Sequence, residues 1–486
     1  MKHPIHIIGL GPGRAPRGAA TPEREGSGAA GLHADGAPPA DRQERNAAPA
    51  GCKESGEENG IPPYASLLSA EARRILDNAE ILIGGRAQLA LFEGHPASTL
   101  TVGADTDDLY ARIRAHYEAG RRQAALCSGD ALFYGLGARL AEQLGADAVR
   151  VLPGVSSLQA AAAVLGLPWE RAIAVSLHGR PDFAPLAHAL LQAEGTDAPV
   201  FVLTDAASGP EAVAAWMLER GLGAMRMHVL EDLFIDADGS ARARRVYDFR
   251  IDEAQEEQTG RGEKTPDREA ARQGAPSAPR QCVLWLRNVP EAPAFGISDR
   301  LFARENSLMT KAPVRAAGLA CLGVAPGHTV WDLGAGSGSV AVEAARLARR
   351  GRVYAVEREA DRAALIRENR RRFRALNLEI IEGAMPFCLS ALPPPDRVFI
   401  GGGLGGNADI AADILARAWQ ALRPGGRLLA HCVLLSSLER VRARLLEFGA
   451  TVDVAMLQAA TGAPLAGDMR LEALNPVFLV LGEKAE

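Results

Sequence analysis

The sequence predicts an α/β protein of two unlike halves, the second a doubly wound, largely parallel sheet. Three observations carry this expectation. Short apolar runs of strand length alternate with stretches of helical period on both sides of the chain's midpoint. The run Val330-Trp-Asp-Leu-Gly-Ala-Gly-Ser-Gly-Ser-Val340, followed by Val353-Tyr-Ala-Val-Glu357, reads as strand, glycine turn, helix and a second strand that ends in an acid. Between the two alternating series lies the proline-bearing stretch Val289 to Phe295, which sets a domain boundary near residue 290.

In chain order, the first strand is Ile5 to Leu10, ending in the loop that contains Gly9, Gly11 and Gly13. Such a loop needs a following helix. That helix comes only at Ser69 to Glu80, where Ala72, Ile75, Leu76 and Ala79 fall at i, i+3, i+4 and i+7. The residues between, Arg14 to Pro63, are rich in Gly, Ala, Pro and charge and follow neither period. They cannot bury enough surface to offset the entropy of ordering, so a disordered insertion within the first domain is expected. Residues from about Asp252 to Arg280 have the same composition and the same expectation. Strands are predicted at Glu80 to Gly84, Gln123 to Ser128, Val149 to Leu152, Arg171 to Ser176, Pro199 to Thr204 and Val283 to Arg287, which completes a domain over 1–290. The second domain, 291–486, has strands at Thr329 to Leu333, Arg352 to Val356, Leu378 to Ile381, Arg397 to Ile400, Arg427 to Cys432, Thr451 to Met456 and Val477 to Leu481. Pro424, Gly425 and Gly426 mark the turn into the fifth of these. The last lacks a preceding helix long enough for a parallel crossover and is expected to run antiparallel.

Composition excludes several classes. A length of 486 residues with 47% hydrophobic content gives a globular chain of more than one domain, and a net charge of −5 gives no general affinity for nucleic acid. The cluster Arg370, Arg371, Arg372 and Arg374 follows Glu368 on a predicted helix and reads as a solvated face. Cys52, Cys127, Cys282, Cys321, Cys388 and Cys432 are scattered without C-x-x-C spacing, which argues against a zinc site and a disulfide framework. No apolar run has the length of a membrane span, so a cytoplasmic protein without metal, membrane or nucleic-acid partner is expected.

The glycine turn carries the chemistry. Gly334, Gly336 and Gly338 let the backbone approach a ligand, with Ala335 and Ser337 between them. Glu357, about 20 residues beyond the first glycine, is placed to hold a ribose. A dinucleotide fingerprint wants G-x-G-x-x-G/A, whereas here the run is G-x-G-x-G followed by Ser339 and Val340, so a ligand without pyrophosphate fits better. Asp332 would repel phosphates and suits an ammonium. S-adenosyl-L-methionine has both a ribose and an amino acid ammonium.

Around the cradle stand Gly296-Ile-Ser-Asp-Arg-Leu-Phe302, Met309-Thr-Lys311 with Arg315, Glu382-Gly-Ala-Met-Pro386 and Phe399-Ile-Gly-Gly-Gly403, in order over about 180 residues. In these motifs the second half resembles the decarboxylating precorrin methyltransferases of cobalamin synthesis. The resemblance implies a cofactor contact from Thr310, the cradle around the amino acid moiety and Glu357 on the ribose. Gly383, Ala384 and Met385 stand where the family has Gly-Asp-Ala, so an expected acceptor for the adenine amino group is missing. Arg304, Lys311 and Arg315 beside the cradle are proposed partners for substrate carboxylates.

The first half contains Ile8-Gly-Leu-Gly-Pro-Gly13, Cys127-Ser-Gly-Asp-Ala-Leu-Phe-Tyr-Gly135 and Leu152-Pro-Gly-Val-Ser-Ser-Leu-Gln159. In these elements it resembles the tetrapyrrole methylases, whose two small α/β lobes hold the cofactor in a cleft. Gly9, Gly11, Gly13, Gly129, Asp130, Ser156 and Ser157 are thereby implied in cofactor binding. A helix N-cap is the alternative for the serine segment. Ala131 replaces the usual proline after the aspartate. His178 follows a strand and precedes Gly179, open to either a structural or a catalytic role, and Arg180 is placed to meet a substrate carboxylate.

Together the halves resemble the fused C5,15-methyltransferase family. That implies methylation of a precorrin at carbon 5 by the first half, methylation at carbon 15 with loss of the ring C acetate carboxyl by the second, and conversion of precorrin-6B to precorrin-8X. Enamine-like bridging carbons of such a substrate can attack a sulfonium methyl directly, so positioning replaces covalent catalysis. A homo-oligomer is expected. One degenerate half supporting the other, or a methyltransferase acting on another substrate such as RNA, are the competing readings. The latter lacks an Asn-Pro-Pro-Tyr or Asp-Pro-Pro-Tyr after the fourth strand of the second half.

Overall fold

The computed structural model describes residues 2–10, 68–103, 106–180, 182–235, 240–252, 282–305 and 309–486. Gly11, Gly13 and almost all of both composition-shifted segments lie outside the described residues. The chain divides into two compact units, one of Met1–Gly166 with Leu233–Ala243, the other of Leu167–Asp232 with Arg244–Glu486.

The first unit contains the strands β1 (Ile5–Gly9), β2 (Ile81–Gly84), β3 (Ser98–Thr101), β4 (Gln123–Cys127) and β5 (Val149–Leu152), in the order β3-β2-β4-β1-β5. All pairs are parallel. Alternate residues therefore serve opposite faces. Ile5, Ile7, Ile81 and Ile83 meet Leu109, Ile113 and Leu140 on one side, while Ile8, Leu82 and Leu126 meet Leu68, Ala72 and Leu76 on the other. The helix expected over Ser69 to Glu80 is α1 (Ala70–Asp77), and the Ser69 hydroxyl caps it by accepting from the Ala72 N–H at 3.1 Å. Further helices are α2 (Arg86–Leu89), α3 (Thr106–Glu118), α4 (Leu136–Leu144) and α5 (Ser157–Leu165).

The second unit holds two sheets. In one, β6 (Ile173–Ser176), β7 (Val200–Leu203), β8 (Arg226–Ile235), β9 (Ala241–Arg250) and β10 (Cys282–Leu286) follow the order β6-β7-β10-β8-β9. β6 and β7 pair in parallel, and β10 runs antiparallel to both its neighbours. Helices α6 (Ala184–Ala193) and α7 (Pro210–Glu219) supply Leu186, Leu190, Val213 and Met217 to its core. The other sheet contains β11 (Thr329–Leu333), β12 (Arg352–Glu357), β13 (Leu378–Glu382), β14 (Arg397–Ile400), β15 (Arg427–Cys432), β16 (Thr451–Leu457) and β19 (Val477–Glu483). Its order is β13-β12-β11-β14-β15-β19-β16, seven strands as expected, with β19 antiparallel to both neighbours. The hairpin β17 (Ala460–Leu465) and β18 (Asp468–Ala473) stands apart. Helices α8 (Ala312–Leu322), α9 (Ser339–Leu347), α10 (Ala360–Arg372), α11 (Ala408–Ala421) and α12 (Leu435–Glu447) cover the sheet's faces.

The arginine cluster corrects one expectation. Arg370 is buried, 3.7 Å from Glu219 of α7, and burial holds its guanidinium down to about 10. The neighbouring Arg220 lies over the Trp216 ring at 4.4 Å and reaches Glu379 at 3.2 Å. The face bearing Arg370 is therefore covered by the β6–β10 layer, while Arg371 and Arg372 keep the expected exposure and Arg372 pairs with Glu368 one turn earlier.

Candidate active sites

A cavity of about 920 Å³ opens above the carboxyl ends of β11 to β15, the edge of a doubly wound sheet where ligands bind. Thr310, Lys311, Asp332, Gly334, Ala335, Gly336, Ser337, Glu357, Gly383 and Met385 line it. The sequence therefore placed most of this site. Gly334, Gly336 and Gly338 all have positive φ, at 71°, 58° and 76°. Their tasks differ. A Cβ on Gly334 would lie 2.9 Å from the Gly402 Cα and one on Gly338 would meet Ile366 at 2.8 Å, whereas one on Gly336 would find open space. Two glycines thus permit packing and the middle one keeps the cavity clear.

The acids are held differently. Glu357 Oε2 accepts from the Gly336 N–H at 2.8 Å, and Oε1 accepts from the N–H groups of Arg358 and Glu359 at 3.0 and 3.1 Å. Three of about four acceptor positions are used, which pins the carboxylate and leaves capacity for a hydroxyl. Asp332 is fully buried, and its Oδ2 has no hydrogen-bond partner. Desolvation, opposed by the Ala341 backbone and aided by Glu357, raises its pKa to about 7. The Ser337 hydroxyl is also buried without a partner. An open glycine cradle, a pinned ribose-type acid and an orphaned carboxylate suited to an ammonium fit S-adenosylmethionine.

Several expectations need correction. Arg315 is fully buried and donates to the carbonyls of Thr310 and Ile297 at 2.8 and 2.6 Å, with Asp299 and Glu343 as ion-pair partners at 3.1 and 3.2 Å. It holds the Thr310 segment in place and is not among the cavity residues. Arg304 donates to the Asp299 carbonyl at 3.2 Å and is not among the cavity residues. Neither is Ala384, nor Gly338, which is the N-cap of α9. Sequence reasoning missed Arg358, Arg362, Asn407, His431 and Asn475, all of which line the cavity. His431 lies at the end of the fifth strand, so the strand-end rule that located Glu357 would have found it.

In the first unit the carboxyl ends of β1, β4 and β5 converge. A Cβ on Gly154 would lie 2.6 Å from the Gly9 carbonyl oxygen and 2.8 Å from that of Gly129. Asp130 accepts from the Leu132 N–H at 2.9 Å and the Gly154 N–H at 3.3 Å, so its carboxylate ties together two strand-end loops. Ala131 is buried and its carbonyl accepts from Gly137 at 3.1 Å, so the turn closes without the usual proline. Ser156 forms a capping box with Gln159, its hydroxyl accepting from the Gln159 N–H and donating to its side-chain oxygen. The cap reading holds for Ser156, and ligand contact by its hydroxyl is withdrawn. Ser157 begins α5, and its N–H and hydroxyl lie 3.7 Å from where a Gly129 Cβ would stand. In the second unit the His178 imidazole is exposed, 4.0 Å from Asp205, and Arg180 is exposed close by. The N–H groups of Gly179 and Ser208 hold the Asp205 carboxyl down to about 2.

Strand-end glycine sites thus stand on two different α/β scaffolds, an arrangement that fits a methyltransferase. Residues 300–482 match the family described as the precorrin methyltransferase domain, and residues 60–252 match the tetrapyrrole (corrin/porphyrin) methylases. A precorrin-6Y C(5,15)-methyltransferase [decarboxylating] of a Sinorhizobium species is 32% identical over 380 residues, covering 75% of this chain and 81% of that protein. A probable cobalt-precorrin-6B C(15)-methyltransferase (decarboxylating) of Saccharolobus solfataricus is 33% identical over 39% of this chain and 96% of its own length. A cobalt-precorrin-7 C(5)-methyltransferase of Salmonella typhimurium is 34% identical over 36% of this chain and 83% of its own length. The chain belongs to the family of decarboxylating precorrin-6Y C(5,15)-methyltransferases.

Proposed function

We propose that the chain methylates a precorrin at carbons 5 and 15 and removes carbon dioxide from the ring C acetate, converting precorrin-6B to precorrin-8X. The single observation behind this reading is the cavity at the cradle, whose orphaned Asp332 and open Gly336 suit a methyl donor bearing an ammonium, in a chain that carries a second strand-end site at Gly9, Gly129 and Gly154. S-adenosylmethionine, when bound, supplies a methyl group on a positively charged sulfur. Asp332 would pair with its ammonium, Glu357 would accept from a ribose hydroxyl, and Thr310 and Met385, which line the same cavity, would contact it. Bridging carbons of a reduced tetrapyrrole are enamine-like nucleophiles, so these residues need only align the partners and exclude water.

In this reading the first domain runs to about residue 290 and methylates carbon 5, and the second methylates carbon 15 and decarboxylates. Lys311 at the cavity wall and Arg180 at the end of the loop after β6 are the proposed contacts for substrate carboxylates. No described helix is long and apolar enough to cross a membrane. We place the protein in the cytoplasm as a homo-oligomer, for which sedimentation should give a mass above the 51.3 kDa of one chain. Incubating the full chain with precorrin-6B and labelled cofactor should yield a product that has gained two methyl groups and lost one carbon dioxide. A product with one methyl group and its carboxyl intact would refute the bifunctional reading.

A further inference from the structure

The strand order separates the cavity into two halves. Glycine cradle, Glu357 and Gly383 stand at the ends of β11, β12 and β13, while β14 and β15 carry the opposite half. Among the described cavity residues, the titratable side chains Asp332, Glu357, Arg358 and Arg362 come from β11, β12 and the start of α10, and Lys311 from the cap of α8. His431 is the one titratable side chain supplied by β14, β15 or the Leu474–Val477 return, where glycines and apolar side chains such as Ile414, Val433 and Leu474 line the wall together with the uncharged amides of Asn407 and Asn475. Its ring stands edge-on to Phe399, centroids 4.5 Å apart and planes at 76°. Its Nε2 is buried without a hydrogen-bond partner against α8, where a Cβ on Gly318 would lie 2.6 Å from it, so a glycine makes room for the imidazole and Nδ1 is the nitrogen left to exchange a proton. Burial holds its pKa down to about 4, which keeps the ring neutral in the ligand-free protein.

A neutral imidazole in an apolar wall, on the substrate side of a methyl-transfer cavity, has a task that the functional reading leaves unassigned. Resting on that reading, we propose that His431 carries a proton between the two carbons altered in this cavity. Once methylated, the bridge carbon still holds its hydrogen. Breaking that C–H bond returns its electron pair to the conjugated ring and forms an N–H bond on the imidazole. Loss of carbon dioxide breaks the bond between the acetate methylene and its carboxylate, and that electron pair enters the ring's protonated imine. The resulting enamine takes the proton from the imidazolium at the exocyclic carbon, so a C–H bond forms, an N–H bond breaks and the histidine is again neutral. Nothing outside the cavity is consumed. A weakly basic imidazole has a strongly acidic conjugate acid, which favours the second transfer.

The test uses the full chain with His431→Asn, which retains size and polarity, and His431→Ala. Cofactor affinity by calorimetry should change less than about threefold in both, while release of carbon dioxide from precorrin-6B falls on the order of 100-fold, the range for loss of a general acid–base group. Added imidazole should restore a tenfold or greater part of the rate to His431→Ala, which a purely structural defect would not allow. Release within threefold of wild type in either variant, or a defect in His431→Ala that imidazole does not relieve, would overturn the assignment. Failure of the wild-type chain itself to release carbon dioxide would instead overturn the functional reading on which it rests.

Discussion

At the scale of single residues, Asp332 shows how the cofactor site is held in readiness at a cost to the empty fold. Its pKa of about 7 in the folded chain lies well above the value of an unfolded aspartate, near 3.9. Between those values the folded state binds more protons than the unfolded state, so this group's contribution to stability falls as pH rises from about 4 to about 7. Asp332→Asn is therefore expected to raise the melting temperature of the ligand-free protein at pH 8. The same substitution should weaken cofactor binding, because it deletes the charge that would face the ammonium. With the aspartate present, affinity at this site should decline as pH falls below about 7, where protonation competes with pairing, and the Asn variant should lose that pH dependence. Calorimetric titration from pH 5.5 to 8.5 checks both. That Asp332 mattered was legible from its place two residues before the first glycine. That Arg315 is not among the cavity residues was not, since its partners Asp299 and Glu343 are 16 and 28 positions away and only the fold brings them to it.

At the scale of elements, central parallel strands were readable where they are buried on both faces and appear as short apolar runs, as in Ile81–Gly84 and Val200–Leu203, whereas the parallel edge strand β3, exposed at three of its four residues, was missed. β9 was not. Its sequence ARARRVYDFR alternates between partly buried and exposed along its whole length, but two small alanines and Arg245 occupy three of the five partly buried positions and Val246 lies on the exposed face, which blurs the apolar alternation. Pairs such as Arg226 with Asp248 and Arg244 with Asp232 hold the hairpin, and no local pattern announces a partner on another strand. β17 and β18 escaped for a simpler reason, being exposed almost throughout, with Met469 and Leu471 on the surface. The glycine turn was fully legible as an element, yet the division of labour within it was not. Both Gly334 and Gly336 need a left-handed backbone, and alanine there costs about 1–2 kcal/mol from conformation alone. Gly334→Ala adds a collision with the Gly402 backbone, whereas the Gly336→Ala methyl meets nothing and enters the cavity. Thermal unfolding should therefore show the larger loss for Gly334→Ala, while Gly336→Ala folds and loses affinity for the cofactor. Equal loss of stability in the two would contradict this assignment of roles.

At the scale of the molecule, the composition boundary near residue 290 and the packing boundary near residue 166 differ, and buried charge accounts for much of the difference. Glu194, which closes α6, reaches Arg346 of α9 at 2.6 Å with both side chains almost wholly buried, and accepts from the Ala292 N–H at 2.9 Å through its other oxygen. Arg349 adds a second, more exposed contact to the same carboxylate at 3.0 Å. The pair binds the β6–β10 layer to the β11–β19 sheet within one compact unit, so two folds legible separately from sequence unfold as one body. Removing one partner of a buried pair strands the other's charge, which costs about 3–5 kcal/mol, while replacing both by apolar residues of similar size is often close to neutral. Arg346 already has Nε and Nη1 without partners, so it has little to fall back on once the carboxylate is gone. Glu194→Gln is therefore expected to lower the urea midpoint sharply and to split the unfolding of this unit into two calorimetric transitions, the β6–β10 layer separating from the sheet. The double replacement Glu194→Leu with Arg346→Leu should recover most of the midpoint. A single, unshifted transition in Glu194→Gln would mean that apolar contact alone, such as Leu376 among the core residues of the β6–β10 layer, holds the two together.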